Sequence, residues 1–270
     1  MIDPETRAHN NNIYYGNPNP NPYQNQNEQN DIWQKAQIGN SEEEKFLNEY
    51  WDNEMRIGFI RKVYGILSFQ LLITFSMVVL SCTSKSFSNF QVQNTAIFFL
   101  CLVVSLITSI TLICFRSIAR STPLNYILLG VFTLCESYLV SFICGVTNPN
   151  IVLMAAAMTC GVVLALTYYA YTTKTDFTVL GGLFFVIGIV MLLFGLFLMF
   201  TNNRILHILY SCLGVIAFSL YLIYDTQLIV GNHENKLEID DFIVGAIMLY
   251  LDIINLFLHI LKLLKEFDKN

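Results

Sequence analysis

Apolar residues run almost unbroken through seven stretches of this chain, near 60–82, 95–115, 124–145, 150–171, 178–200, 205–230 and 242–264, with polar residues gathered between them. Each is close to the roughly 20 residues that a bilayer-crossing helix needs, and far longer than the roughly 10-residue strands of a membrane barrel. In hydrocarbon the backbone must satisfy itself, so the pattern predicts an all-α polytopic membrane protein with seven transmembrane helices. The connections are short, about four to a dozen residues, and leave no room for a folded extramembrane domain. Any chemistry must lie in the membrane or at its edge.

Ahead of the first span the pattern is different. Residues 1–40 are crowded with Asn, Gln, Pro and Tyr and read as a disordered tail, because they hold too little apolar surface to offset the entropy of ordering. From Ser41, whose spacing to Glu44 is that of a capping box, Phe46, Leu47, Tyr50, Trp51 and Met55 recur at helical intervals. Residues 41–57 are therefore expected to form a short amphipathic interfacial helix or a plain extension of the first span. Residues 58–266 make the transmembrane domain, and 267–270 a tail.

Composition agrees with the pattern: 54% of residues are hydrophobic, 13% are charged and the mean hydropathy is +0.53. The net charge of −5 misleads about partners, since residues 1–54 contain ten acids and three bases and leave the remainder near +2. Nothing resembles a nucleic-acid patch, so the expected surroundings are membrane lipid and no nucleic acid. No cleavable leader is visible, and the first span is expected to act as an uncleaved signal anchor. The seven cysteines fall in or at the ends of spans without CxxC or metal-ligand spacing and read as buried small hydrophobes. No cofactor is expected.

Basic residues orient the chain. With the amino terminus in the cytosol, that side collects Arg56, Arg61, Lys62, Arg116, Arg120, Lys174 and Lys236, against Lys85 and Arg204 opposite. Lys262, Lys265 and Lys269 disturb this, because seven crossings place them on the far side. A re-entrant last segment, or six true crossings, would relieve the conflict.

Three carboxylates interrupt the apolar runs: Glu136 in the third, Asp225 in the sixth and Asp252 in the seventh. A charge at bilayer depth costs between about 2.5 and 17 kcal/mol, depending on the reference state, so such residues line a polar pathway or find partners. Asp252, Asn255 and His259 stand at i, i+3 and i+7, which puts them on one helical stripe. If the three helices pack together, carboxylates in a common low-dielectric site cannot all ionise cheaply, which makes a pH switch. The bland reading is polar glue, each acid hydrogen-bonding a neighbouring helix.

Enzymatic readings fail on their own motifs. Tyr224-Asp225 matches half of an intramembrane aspartyl protease signature, but Asp252 sits in Leu-Tyr-Leu-Asp rather than Gly-x-Gly-Asp. His233-Glu234 begins an HExxH that meets Leu237 where the second His belongs, and no Gly-x-Ser-x-Gly elbow is present. The chain is therefore expected not to be an enzyme.

Two blocks, Ile223-Tyr-Asp-Thr-Gln-Leu-Ile-Val-Gly231 and Leu249-Tyr-Leu-Asp-Ile-Ile-Asn-Leu-Phe257, resemble the signature of the transmembrane Bax inhibitor motif family. Phe59-Ile-Arg-Lys-Val-Tyr64, Phe132-Thr-Leu-Cys-Glu136, Ala165-Leu-Thr and Thr173-Lys-Thr-Asp-Phe177 add to it, and Glu136 makes the chain most similar to the Lifeguard-4 or Golgi anti-apoptotic branch. The resemblance implies a Bax-inhibitor-type helical bundle, a pH-sensitive calcium leak from Golgi or endoplasmic reticulum stores, and suppression of cell death. It implies that Asp225 and Asp252 form a proton-sensitive latch that meets calcium transiently, with Arg116 or Arg120 as the arginine that binds it. Glu136, Asn255 and His259 are expected along the pathway. Calcium and protons are the expected ligands, and apoptosis regulators or other calcium channels the expected partners. A proton-coupled cation transporter and a scaffold acting on other membrane proteins are the alternatives.

Overall fold

The structure is a computed structural model that describes residues 22–231 and 235–268, with side chains from 45 to 47 and from 50 onward. Part of the expected tail, residues 1–21, lies outside the described residues, as do His233, Glu234 and the last two positions. Residues up to Asn53 form one unit and Glu54–Asn270 another.

The helices are α1 (Pro22–Thr83), α2 (Lys85–Gln93), α3 (Thr95–Cys114), α4 (Arg116–Ala119), α5 (Leu124–Gly145), α6 (Pro149–Thr172), α7 (Gly181–Leu198), α8 (Arg204–Val230) and α9 (Phe242–Asp268). A 3-10 turn, Thr178–Leu180, leads into α7. Seven of these stretches are long and apolar enough to cross a membrane, as the hydropathy pattern predicts. Within α1, residues 22–40 are helical rather than without structure, and the helix expected at 41–57 has no boundary of its own.

Helix ends follow local chemistry. Asn148 caps α6 through the Asn150 amide, with Pro149 in the first turn where its missing N–H costs nothing. Asn203 accepts from the amides of Ile205 and Leu206 at the start of α8. Gly231 ends α8 with φ 74°, the left-handed conformation that favours glycine, and its N–H returns to the Gln227 carbonyl.

α9 is the axis of the bundle. Two thirds (67%) of its most apolar window is buried, against 17% for α3 and 11% for Thr178–Leu198. A helix apolar on all sides can be enclosed by others, and Ile243, Ile247, Leu249, Tyr250 and Leu256 are at most 1% exposed. α3 and α7 instead turn bulky residues outward, Phe99 and Phe185 among them, an arrangement suited to acyl chains and not to water.

α8 and α9 are antiparallel along their whole length: Arg204 at the start of α8 pairs with Glu266 near the end of α9, Nε to Oε2 at 3.3 Å. α9 thus returns to the level at which α8 begins, and the two helices cover the same depth. Lys262 and Lys265 accordingly stand toward the end opposite to the α8–α9 loop. The cysteines correct another expectation. Only Cys144 is buried, while Cys114, Cys160 and Cys212 are exposed on the flanks of their helices, since a lipid-facing thiol has no more need of burial than a leucine there.

Candidate functional site

Asp225 lies five residues before the end of α8, and Asp252 ten residues into α9. Because the two helices run in opposite directions, these positions meet, and the carboxyls are within hydrogen-bonding reach of each other. They are 5% and 6% exposed. Asp252 Oδ2 is buried with no donor facing it. Two ionised carboxylates can only accept, so a bond between them forms only when one carries a proton. A buried acceptor without a donor costs about 1–3 kcal/mol, so this oxygen is left for a proton or a cation.

The other residues of the expected stripe separate. Asn255 spends its amide nitrogen on the Leu251 carbonyl of its own helix at 2.8 Å. His259 lies about 10 Å further along the axis and is packed in an aromatic cage, stacked on Phe218 at 5.5 Å and edge-on to Tyr210 at 5.2 Å. It fits there because Gly214 of α8 has no side chain: a Cβ would stand 2.4 Å from the imidazole. Glu136 does not join the aspartates. Its Oε2 accepts from Ser105 Oγ at 2.9 Å, across the α3–α5 contact, which is the geometry of the polar-glue reading.

Arg116 and Arg120 face other acids than the latch pair. Arg120 grips Asp241 with Nε to Oδ1 at 2.7 Å and Nη2 to Oδ2 at 2.9 Å, and reaches Glu238 at 2.6 Å. Arg116 adds contacts to Asp241 at 3.5 Å and to Glu238 at 4.0 Å. The side chain of Asp241 is fully enclosed, and the bonds from Asp241 and then Glu238 hold the Arg120 guanidinium above its ordinary range. The same loop is tied by Arg56 Nη1 to the Leu237 carbonyl at 2.9 Å and by the Leu237 amide to the Leu228 carbonyl at 3.0 Å.

Gln227 explains why two separate blocks of the sequence belong together. Two residues beyond Asp225, it accepts from the Phe177 amide at 2.8 Å and donates to the Thr175 carbonyl at 2.9 Å. The turn between α6 and α7 is thus pinned to the helix that carries the aspartate.

One polar feature escaped the sequence reading. Gln70 and Thr74 of α1, Thr133 and Ser137 of α5 and Tyr250 of α9 form a buried network: Gln70 Nε2 donates to Thr133 at 3.0 Å, and Thr74 meets Ser137 at 2.9 Å and Tyr250 at 2.8 Å. Their i, i+4 spacing in α1 and in α5 was the available signal. Among the described residues no three His, Cys, Asp or Glu side chains gather as a metal site. The aspartate pair offers fewer oxygens than the six to eight of a resident calcium, so an ion meeting it would keep much of its water.

Comparison with known proteins agrees with this bundle. Residues 56–269 match the family described as "Inhibitor of apoptosis-promoting Bax1". The chain is 37% identical to human Protein lifeguard 3 over 222 residues, 81% of this chain and 71% of the human protein. It is 35% identical over 219 residues to Protein LIFEGUARD 2 of Arabidopsis thaliana, covering 80% and 90% of the two chains. These relatives bear the names Lifeguard 3 and 2, so the match reaches the family and not the finer branch suggested by Glu136. The chain belongs to the Bax inhibitor motif family of multi-pass membrane proteins.

Proposed function

We propose that this family member is a proton-sensitive calcium leak pathway of Golgi or endoplasmic reticulum membranes that lowers store calcium and so restrains cell death, with its amino terminus in the cytosol. The observation that carries the reading is the Asp225–Asp252 pair, buried between two antiparallel helices with Asp252 Oδ2 lacking a donor. Suppression of cell death is supported by the family's description and the names of the relatives.

With one proton shared, the carboxyls bond and hold α8 against α9. With the proton gone, two negative charges face each other in a low-dielectric setting, which favours separation of the helices and leaves oxygens to attract a hard cation. Protons and calcium then compete for the same oxygens. Arg116 and Arg120 do not neutralise the pair in this arrangement, because both are engaged by Asp241 and Glu238.

The test is calcium efflux from loaded liposomes that contain the purified full chain. Efflux should rise with pH and proceed without a stoichiometric counter-flow of protons. Efflux that stops when no proton gradient is available would make the protein an exchanger. No efflux at any pH would leave the scaffold reading.

A further inference from the structure

The flank of the bundle between α1 and α6 is open. Two adjoining cavities of about 570 and 510 Å³ lie there, with Leu71, Val163, Leu164 and Ile253 common to both linings. On α1 the groove follows Tyr64, Ser68, Leu71, Phe75, Val78 and Cys82, alternating steps of four and three residues that keep one face toward it. Those residues extend over roughly 27 Å of helix, close to the roughly 30 Å of bilayer hydrocarbon. The opening exists because α6 presents small side chains opposite this face, Ala156, Thr159 and Cys160, while Ile253 and Ile254 of α9 form the floor.

The ends of the groove differ. Toward the α8–α9 loop its lining carries hydroxyls on Tyr64, Ser68, Thr167, Tyr168, Tyr171 and Thr172. Two exposed cations follow this end in the chain: Arg61, one turn before Tyr64 on the same helical stripe, and Lys174, two residues past the end of α6. The opposite end is lined by Val79, Cys82, Thr83, Pro149 and Leu153, with one hydroxyl among them and Lys85 outside it on α2. Tyrosines and basic residues at one end of an apolar track are what anchors an amphiphile at the membrane interface.

We propose that the groove binds one anionic phospholipid, with an acyl chain laid between α1 and α6 over α9 and the headgroup phosphate held between Arg61 and Lys174. The site is separate from the aspartate pair and stands whether or not the chain conducts calcium.

Native mass spectrometry of the detergent-purified full chain, titrated with phosphatidylserine or with phosphatidylcholine of the same acyl chains, tests this. The parent should retain one phosphatidylserine in preference to phosphatidylcholine, and Arg61→Gln and Lys174→Gln should each weaken that retention about fivefold. Ala156→Phe, which fills the track, should reduce retention of both lipids, with an unchanged gel-filtration profile showing that the variant is folded. Glycerophosphoserine, the headgroup without chains, should not compete. Equal retention of the two lipids by the parent, a preference that survives both charge substitutions, unchanged binding in folded Ala156→Phe, or competition by glycerophosphoserine would each overturn the proposal. Should Ala156→Phe fail to fold, Cys160→Phe in the same lining makes the same demand.

Discussion

Two sets of acids sit a few turns apart in this molecule and are treated in opposite ways. In the α8–α9 loop, Asp241 is fully enclosed yet both its oxygens are gripped by Arg120, and Glu238 and Arg116 complete the cluster. Between α8 and α9, Asp225 and Asp252 stand within hydrogen-bonding reach of each other, and Asp252 Oδ2 has no donor. The first arrangement is satisfied and therefore structural: it fixes the loop, and removal of either side leaves charges behind. The second is unsatisfied in the ionised state and satisfied only with a proton between the two residues, which gives it two states to choose from. Burial is common to both sets; the donors around each oxygen are what differ.

The contrast should be sharpest in Asp225→Asn and Asp252→Asn. Either substitution should flatten the pH dependence of calcium efflux, a change of about tenfold where the parent titrates, because an amide cannot share a titrating proton. The double variant should scarcely differ from either single one. Additive effects in that cycle would mean two independent sites and would erase the comparison.

Asp241→Asn should act on the other side of it. Loss of the charge that holds Arg120 should lower Tm by about 5 °C in a detergent melt, while the shape of the efflux–pH curve stays that of the parent. A displaced pH profile in this variant would put the loop cluster inside the gate.

The cluster should also be indifferent to pH. The guanidinium of Arg120, already charged in any folded or unfolded chain at neutral pH, is pushed further up by Asp241 and Glu238. A raised pKa contributes stability that is fully present below the unfolded value and lost only above it, and both values lie far beyond the working range. The loss in Tm caused by Asp241→Asn should therefore be the same at about pH 6 and about pH 9. A loss that varies across that interval would mean that some other group titrates against the loop.

The smallest effect is expected at Glu136→Gln. Its carboxylate accepts a single side-chain hydrogen bond, from Ser105, and a glutamine carbonyl can accept it equally. Efflux should stay within about twofold of the parent and Tm within about 2 °C. A large loss of efflux with normal folding would return Glu136 to the conduction path.

Much of the architecture was legible in the sequence because the bilayer reduces it to a question of length and hydropathy. Seven long apolar runs have one solution in hydrocarbon, and apart from α1, which begins at Pro22, the observed spans fall within a few residues of those runs. Asp225 and Asp252 were legible for the same reason, since a lone acid in an apolar run is a conspicuous cost. What a single string cannot contain is which helix faces which. Glu136 shares its residue type and setting with the aspartates, yet the packing of α5 on α3 gives it Ser105 and keeps it apart from them. Asn255 shares a stripe with Asp252, but the carbonyl of Leu251 is nearer to it than any other helix. The family resemblance implies that Arg116 or Arg120 binds the aspartates, and it carries no information on which loop acids stand nearby. The nearer Asp241 and Glu238, exposed to no apolar penalty along the way, take them first. Hydrophobicity along the chain thus determined what crosses the membrane and which acids must be accounted for. Only the tertiary structure, through the antiparallel pairing of α8 with α9 and the donors that happen to stand within about 3 Å of each oxygen, decided which acids are satisfied and which pair is left to bind a proton or a cation.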